Sequence, residues 1–434
     1  MSRSLRTAAP PPRVHRAWWA LVAAASAIIA AGAFTTMSGL LVTPLHDEHG
    51  WSHGTIGVAV STNMVLYGVT APFAAALMDR FGIRSVVIGA LTLVALGAVL
   101  TTVTTQAWQL TLYWGLLVGL GTGAMAMTFA ATVAGRWFVT HRGLATGILT
   151  AASVFGQFAL LPVLSWVVAA YQWRAALVTV ALIAACVVPL VWLLLRDHPA
   201  DAGTTPYGAT EFVRKPPPTP GAAKRTARVL LRSVRTGPFW LLAGMFAICG
   251  ASTNGIMWSH FVPAAHHHGM PITVASSLLS LVGVFNVVGT VSSGWLTDRV
   301  DPRWLLVGCF ASRAVALMCL PLLFAAAVRP SMVVFVVVFG VLDVATVPPV
   351  IALAHRCYGA DGAIVFGWVN AVHQLGAGLM AFLGGLIRDL TGSYDPMWLA
   401  AGGLCLLAAL LAPFARSSGE RTPTTAPGSQ LASG

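Results

Sequence analysis

Residues 79–84 read DRFGIR and residues 294–303 read GWLTDRVDPR, so an acid, a base and a second base four residues on occur twice, 219 residues apart (79 to 298). The offset extends beyond these stretches. Pro44 and Gly50 return at the same spacing as Pro263 and Gly269, and Arg136, Gly147 and Gly156 return as Arg356, Gly367 and Gly376 with the register slipped by one residue. A repeat of this length implies a duplicated fold, two homologous halves about a pseudo-two-fold axis. Function is expected between the halves.

Both copies lie at the ends of apolar runs. Of the 434 residues 57% are hydrophobic and only 9% charged, with a mean hydropathy of +0.79, whereas a soluble surface needs roughly a quarter to a third charged residues. The chain must therefore face lipid. Apolar runs of about 20 residues place spans at 18–42, 54–77, 85–105, 108–132, 143–170, 174–195, 238–261, 273–296, 304–327, 331–353, 363–386 and 396–415. This predicts an all-α membrane protein of twelve transmembrane helices in two pseudo-symmetric six-helix bundles. Residues 1–16 read as a tail, 17–195 as the first bundle, 196–237 as a linker, 238–415 as the second bundle and 416–434 as a disordered tail.

The net charge of +12 would suit nucleic acid, but its placement does not. Of 25 Lys and Arg, 21 fall in segments on one side of the spans; Arg174, Arg329 and Arg388 fall on the other, and Arg313 lies within a span. Cationic loops resist translocation, so both termini and the linker are expected on the cytoplasmic side of the inner membrane. No cleavable signal peptide is expected, because the first apolar run leads into further spans without a small-residue cleavage pattern. Residues 197–221 carry six prolines and read as extended and flexible. Residues 222–235 place Lys224, Arg228, Arg232 and Arg235 at helical spacing, either as a helix on the anionic inner leaflet or as an ordinary basic loop. The six cysteines lack CxxC spacing and read as free thiols.

Asp79, Arg80 and Arg84 recur at matched positions as Asp298, Arg299 and Arg303 at the ends of span 2 and span 8, joined by Gly82 in the first copy and Gly294 in the second. An aspartate there can latch onto neighbouring helix ends when the inner gate is shut, and must release them in the other state. Charges that merely stop the helices at the interface are the alternative.

With these motifs the chain resembles the major facilitator superfamily, whose loop between the second and third spans has the form G-x-x-x-D-R-x-G-x-R; the first copy has Ala75 in place of the leading glycine. The resemblance implies two six-helix bundles rocking about a central site lined by spans 1, 4, 7 and 10. Pro44-Leu45-His46-Asp47-Glu48-His49-Gly50-Trp51-Ser52, Arg136-Trp137-Phe138 with Arg142-Gly143-Leu144-Ala145-x-Gly147, and Phe285-Asn286-x-x-Gly289 are similar to the oxalate/formate antiporter and monocarboxylate porter branch. That implies an organic anion as substrate. Members of the branch usually carry an arginine after the eighth-span glycine, where this chain has Thr290, and often a lysine where it has His373.

Two charges fall inside spans, Arg313 in the ninth and Asp343 in the tenth. A charge at the bilayer centre costs several kcal/mol unless paired or hydrated. Each lies ten residues from the cytoplasmic end of its helix, about 15 Å at 1.5 Å per residue, so the two share a depth. Their first-half counterparts, Val94 and Ala124 or Gly123, are apolar. Asp343 taking up a proton and freeing Arg313 to hold a carboxylate is one reading; a static salt bridge between the helices is the other. Pro348-Pro349 should release carbonyls towards a cavity or simply kink the helix. Asn370, His373 and Gln374 in span 11, Asn63 and Tyr67 in span 2, Gln157 in span 5, and Asn254, Trp258 and His260 in span 7 complete the candidates, each also able to serve as a helix–helix hydrogen bond. His46, His49, His53 and His266–His268 read as exposed residues of the far-side loops; adjacent histidines cannot converge on one ion, so no metal site is expected.

The expected function is secondary transport of a small organic anion, a monocarboxylate, coupled to or exchanged against protons, by a monomer in the bilayer without cofactor. A proton-coupled exporter of drugs or amphiphiles is the alternative, although span 4 lacks the arginine and span 5 the proline usual in such antiporters. No catalytic constellation or nucleotide-binding loop points to an enzyme or to direct ATP drive.

Overall fold

In the computed structural model, which describes residues 14–212 and 221–415, the chain is helical from end to end of its apolar stretches. Among the described residues ten helices are long and apolar enough to cross a membrane, counting residues 144–194 as one. Within Leu161–Leu194, however, Gln172 breaks the helical backbone with φ 69° and ψ 165°. The stretch from Arg142 to this break is span 5, and that from the break to Leu194 is span 6. The others are span 1 (Arg16–His49), span 2 (His53–Phe81), span 3 (Ile83–Thr102), span 4 (Ala107–Trp137), span 8 (Ile272–Thr297), span 9 (Pro302–Leu322), span 10 (Pro330–Tyr358), span 11 (Gly362–Thr391) and span 12 (Asp395–Phe414). Span 7 is assembled from Gly237–Gly250, a π turn at Ala251–Gly255, and Met257–His267. Divided at Gln172 and with span 7 assembled, the described residues form twelve helical stretches of spanning length. One face of the bundle carries the 2–3 and 8–9 loops with their arginines, here the basic face; the other is the histidine face.

Several helices run past the apolar core. Span 1 continues through Pro44 to His49 and is ended by Gly50 in the left-handed region, φ 66°. His46 and His49 therefore occupy a last helical turn, His53 opens span 2, and His266 and His267 close span 7. The loop placement expected for them is corrected by the length of these helices. Gly82, between spans 2 and 3, has φ 86°. The Asp197 carboxylate occupies the place of its missing Cβ and accepts from the Arg84 backbone N–H at 2.8 Å.

The linker departs from expectation where it is described. Pro199–Ala202 form a short 3-10 turn, and Tyr207 pairs its backbone with Trp137 and Val139. The Tyr207 ring lies against His15, Trp18, Phe138 and His141. An aromatic cage thus holds this part of the linker to the first half. The prolines at 216–218 and 220 lie outside the described residues. Ala222–Ser233 is a helix, seated beneath spans 2 and 11: Trp368 Nε1 donates to the Thr226 carbonyl at 3.0 Å, and Arg225 pairs with Asp361 at 3.1 Å.

The halves meet through equivalent residues. Gly39 and Trp258, one repeat apart, touch; a Cβ on Gly39 would lie 2.7 Å from the Trp258 carbonyl oxygen. Such self-equivalent contact lies on the pseudo-two-fold axis. Off the axis, Ser280 Oγ donates to the Phe158 carbonyl at 2.7 Å, and at the repeat-equivalent place Ser61 packs on Gly378. Small residues let backbones approach where lipid supplies no hydrophobic drive. Gly39→Ala is expected to push spans 1 and 7 apart at a cost of about 1–3 kcal/mol, read as a lower unfolding temperature of the detergent-purified protein.

Candidate functional site

Span 10 is two helices, Pro330–Asp343 and Val347–Tyr358. Pro348 and Pro349 have no N–H to donate, so the first helix cannot continue through them. The break leaves carbonyls that must find donors inside the protein. Arg313 Nη2 donates to the carbonyls of Leu342 at 2.6 Å and Asp343 at 2.5 Å. Its Nη1 reaches Ser252 Oγ at 3.3 Å and Cys249 Sγ at 3.2 Å. Ser293 Oγ takes the Ala345 carbonyl at 2.5 Å. The released carbonyls are claimed by side chains and are not open to a cavity. A cation over a helix C-terminus also meets the negative end of its dipole.

The pairing expected between Arg313 and Asp343 is thus made to backbone. Arg313 is wholly buried and Asp343 1% exposed, yet the carboxylate points elsewhere. Its Oδ2 accepts from Asn286 Nδ2 at 3.0 Å, and among the described residues its Oδ1 has no close hydrogen-bond partner. Trp258, Arg313 and His373 lie close enough to act on its charge. Among the described residues Trp258 Nε1 and His373 Nδ1 have no close hydrogen-bond partner, although Trp258 is near enough to donate weakly to the carboxylate. Buried polar groups are nearly always satisfied; a cluster that is not marks a place where a proton or ligand atom belongs. The first half has no equivalent, because there Val94 packs directly on Gly121.

The remaining candidates divide. Asn254 Nδ2 donates to Gln374 Oε1 at 3.4 Å, and the Gln374 side chain lies against Gly68 of span 2, so these residues meet where the halves do. His373 packs on Phe246, ring centres 4.7 Å apart. Tyr67 and Asn370 are half-buried. Asn63 turns into its own half, donating at 2.9 Å to the Trp114 carbonyl within the π-helical stretch Thr111–Val118 of span 4. Gln157 bonds Ser153 at 3.2 Å. His260 lies apart, its Nε2 2.9 Å from the Ala381 carbonyl oxygen. Trp258 joins this cluster to the other half, its ring edge-on to Phe158 at 5.3 Å.

At the basic face the two repeat motifs engage differently. Asp79 pairs with Arg136, Arg80 lies over Phe81 at 5.1 Å, and Arg84 over Trp192 at 4.8 Å. In the second copy Asp301 takes this role: Arg303 bonds it at 2.6 Å and Arg356, the repeat of Arg136, approaches to 3.8 Å. Their guanidinium groups, Arg303 foremost, hold the Asp301 carboxyl below the usual carboxylate range. Asp298 is exposed, Arg299 lies over Trp295 at 4.0 Å, and Gly294 faces open space. Sequence reasoning passed over Asp301 as a gate residue and over Cys249, Ser252 and Ser293 at the break, and took Asn286 only as part of the eighth-span motif. Uncharged polar residues inside apolar helices were the available signal.

A model of the Major Facilitator Superfamily matches residues 23–291 and 248–432. Monocarboxylate transporter 13 of Bos taurus is 30% identical over 363 residues, 81% of this chain and 76% of the relative. The uncharacterized MFS-type transporter YcxA of Bacillus subtilis is 26% identical over 388 residues, 87% of this chain and 90% of the relative. Among solved structures, the inward open conformation of the xylose transporter XylE from E. coli superposes with a TM-score of 0.69 at 16% identity, covering 91% of this chain and 95% of that one.

Arg313→Met leaves carbonyls and a carboxylate without their cation and is expected to destabilise the protein by about 3–5 kcal/mol, measured as lost thermal stability in detergent. Arg313→Lys should recover less than half of this, since an ammonium cannot span both carbonyls as the planar fork does.

Proposed function

The chain belongs to the major facilitator superfamily, and on that premise we propose that it carries a small organic anion, a monocarboxylate, across the cytoplasmic membrane by alternating access coupled to protons. The observation that carries this reading is Asp343: a buried carboxylate with one oxygen unpartnered, fixed by Asn286 and set beside Trp258, which touches the other half. Protonation removes the cost of a buried charge. A change of protonation there alters what Trp258 meets, and through Phe158 it alters the closure between the halves. Arg313 is the positioning residue, holding the broken span so that Asp343 faces inwards. The carboxylate of the substrate is met by neutral donors on both halves, Tyr67 from one and Asn254 and Gln374 from the other, with His373 beside them.

The positive charge of the basic face supports a cytoplasmic position for it, the linker and both termini. Two bundles, 17–195 and 238–415, rock as bodies about the axis through Gly39 and Trp258. Asp79 and Asp301 hold their arginines within their own halves in the present state. The functional unit is the monomer. Relatives named for monocarboxylate transport support the substrate class.

Two measurements test the reading. Proteoliposomes supplied with labelled lactate, pyruvate, oxalate, formate or an aromatic acid should accumulate at least one of them, faster under an inward proton gradient; extrusion of cationic dyes with no acid moved would instead establish the exporter. Asp343→Asn, which keeps the shape of the site, should retain exchange of the anion while losing gradient-driven accumulation by about 10-fold or more, a differential effect of about 1.4 kcal/mol. Protein that exchanges and accumulates normally would remove Asp343 from the coupling step.

A further inference from the structure

Span 2 begins with unpaired backbone donors, as every helix does. Its own cap, Ser52 Oγ, satisfies only the Thr55 N–H, at 3.1 Å. The N–H groups of His53 and Gly54 are taken by the two oxygens of Asp389, at 3.0 and 2.7 Å. The His53 ring adds a third bond, Nδ1 to Oδ1 at 2.9 Å. Asp389 lies near the end of span 11, in the opposite half. One half therefore caps a helix of the other, with a charge suited to a helix N-terminus. The backbones are close enough for this, since a Cβ on Gly385 would meet the His53 carbonyl. His46 packs on the His53 ring at 4.3 Å, and Tyr394 meets it edge-on at 6.3 Å. At the repeat-equivalent positions stand Ile272 and Ala169, so the device exists once.

We propose that Asp389 and His53 form a latch that holds the histidine face shut and must release for the transporter to open there. Water can replace each of its hydrogen bonds on opening, which makes the latch reversible. At the basic face Asp79 pairs with Arg136 and Asp301 with Arg303 and Arg356, each within its own half, while at the histidine face the charge contact crosses between halves. The assignment rests on the proposed orientation, with the histidine face outside.

Opening is read as the labelling rate of Ser259→Cys by a membrane-impermeant maleimide in intact cells at one fixed pH, with labelling of the parent protein subtracted. Ser259 is 2% exposed, on span 7 where Gly39 approaches. Asp389→Asn replaces one acceptor oxygen by an NH2 group that faces a backbone N–H, removes the charge, and should raise that rate about 10-fold. His53→Gln keeps both backbone bonds and should raise it about 3-fold. A second reporter, Ala327→Cys in the exposed 9–10 loop, should label equally in every background; its failure to label would overturn the orientation, whereas unchanged Ser259→Cys labelling beside a normal loop signal would overturn the latch. If Asp389→Asn does not reach the membrane, His53→Gln decides alone: parental labelling in that variant overturns the proposal. No substrate enters the measurement, so its outcome is separate from that of the anion reading.

Discussion

In a bilayer no backbone N–H or C=O can turn to water, so each must be satisfied by the protein itself. Continuous helices meet this demand without help, and most of this chain is built of them. Span 10 does not, because Pro348 and Pro349 interrupt it, and the rest of the second half is arranged around that interruption. Arg313 reaches from span 9 to the carbonyls of Leu342 and Asp343, Ser293 reaches from span 8 to Ala345, and span 7 supplies Ser252 and Cys249 to the same guanidinium. Burying the arginine is tolerable because its donors are mostly used and a carboxylate stands near.

The same demand connects structure to function. Once Arg313 is committed to backbone, Asp343 is free of a bidentate clamp and keeps only the Asn286 bond. A carboxylate so placed can change its protonation without dismantling the helix break beside it. Trp258 stands between this acid and Phe158 of the other half. It also shares the pseudo-two-fold axis with Gly39. In the proposed coupling, chemistry in one half and closure between halves therefore meet at a single residue, Trp258.

Duplication explains the scaffold, and departures from it carry the specialisation. Ser280 with Phe158 and Ser61 with Gly378 are matched contacts that hold the halves by packing. Arg313, Asp343, His53 and Asp389 have apolar counterparts, Val94, Ala124 or Gly123, Ile272 and Ala169. These polar residues thus stand where the other copy of the repeat is apolar.

The repeat, the apolar runs and the one-sided arginines were enough to determine the fold, since span length and charge placement follow from the thickness and electrostatics of the membrane and need no knowledge of partners. The depth of Arg313 and Asp343 followed in the same way, from helix rise alone. Their partners did not. A guanidinium can satisfy a carboxylate or a pair of carbonyls, and only the placement of spans 8, 9 and 10 decides that it takes the carbonyls. Likewise Asp301, inside the second copy of the motif between Arg299 and Arg303, takes Arg356 because the turn into span 9 brings it there. His53 and Asp389 are 336 residues apart, and neither belongs to a motif. Hydrogen bonds act over about 3 Å, a distance that sequence separation does not encode, so which polar residues meet across helices was settled by tertiary packing.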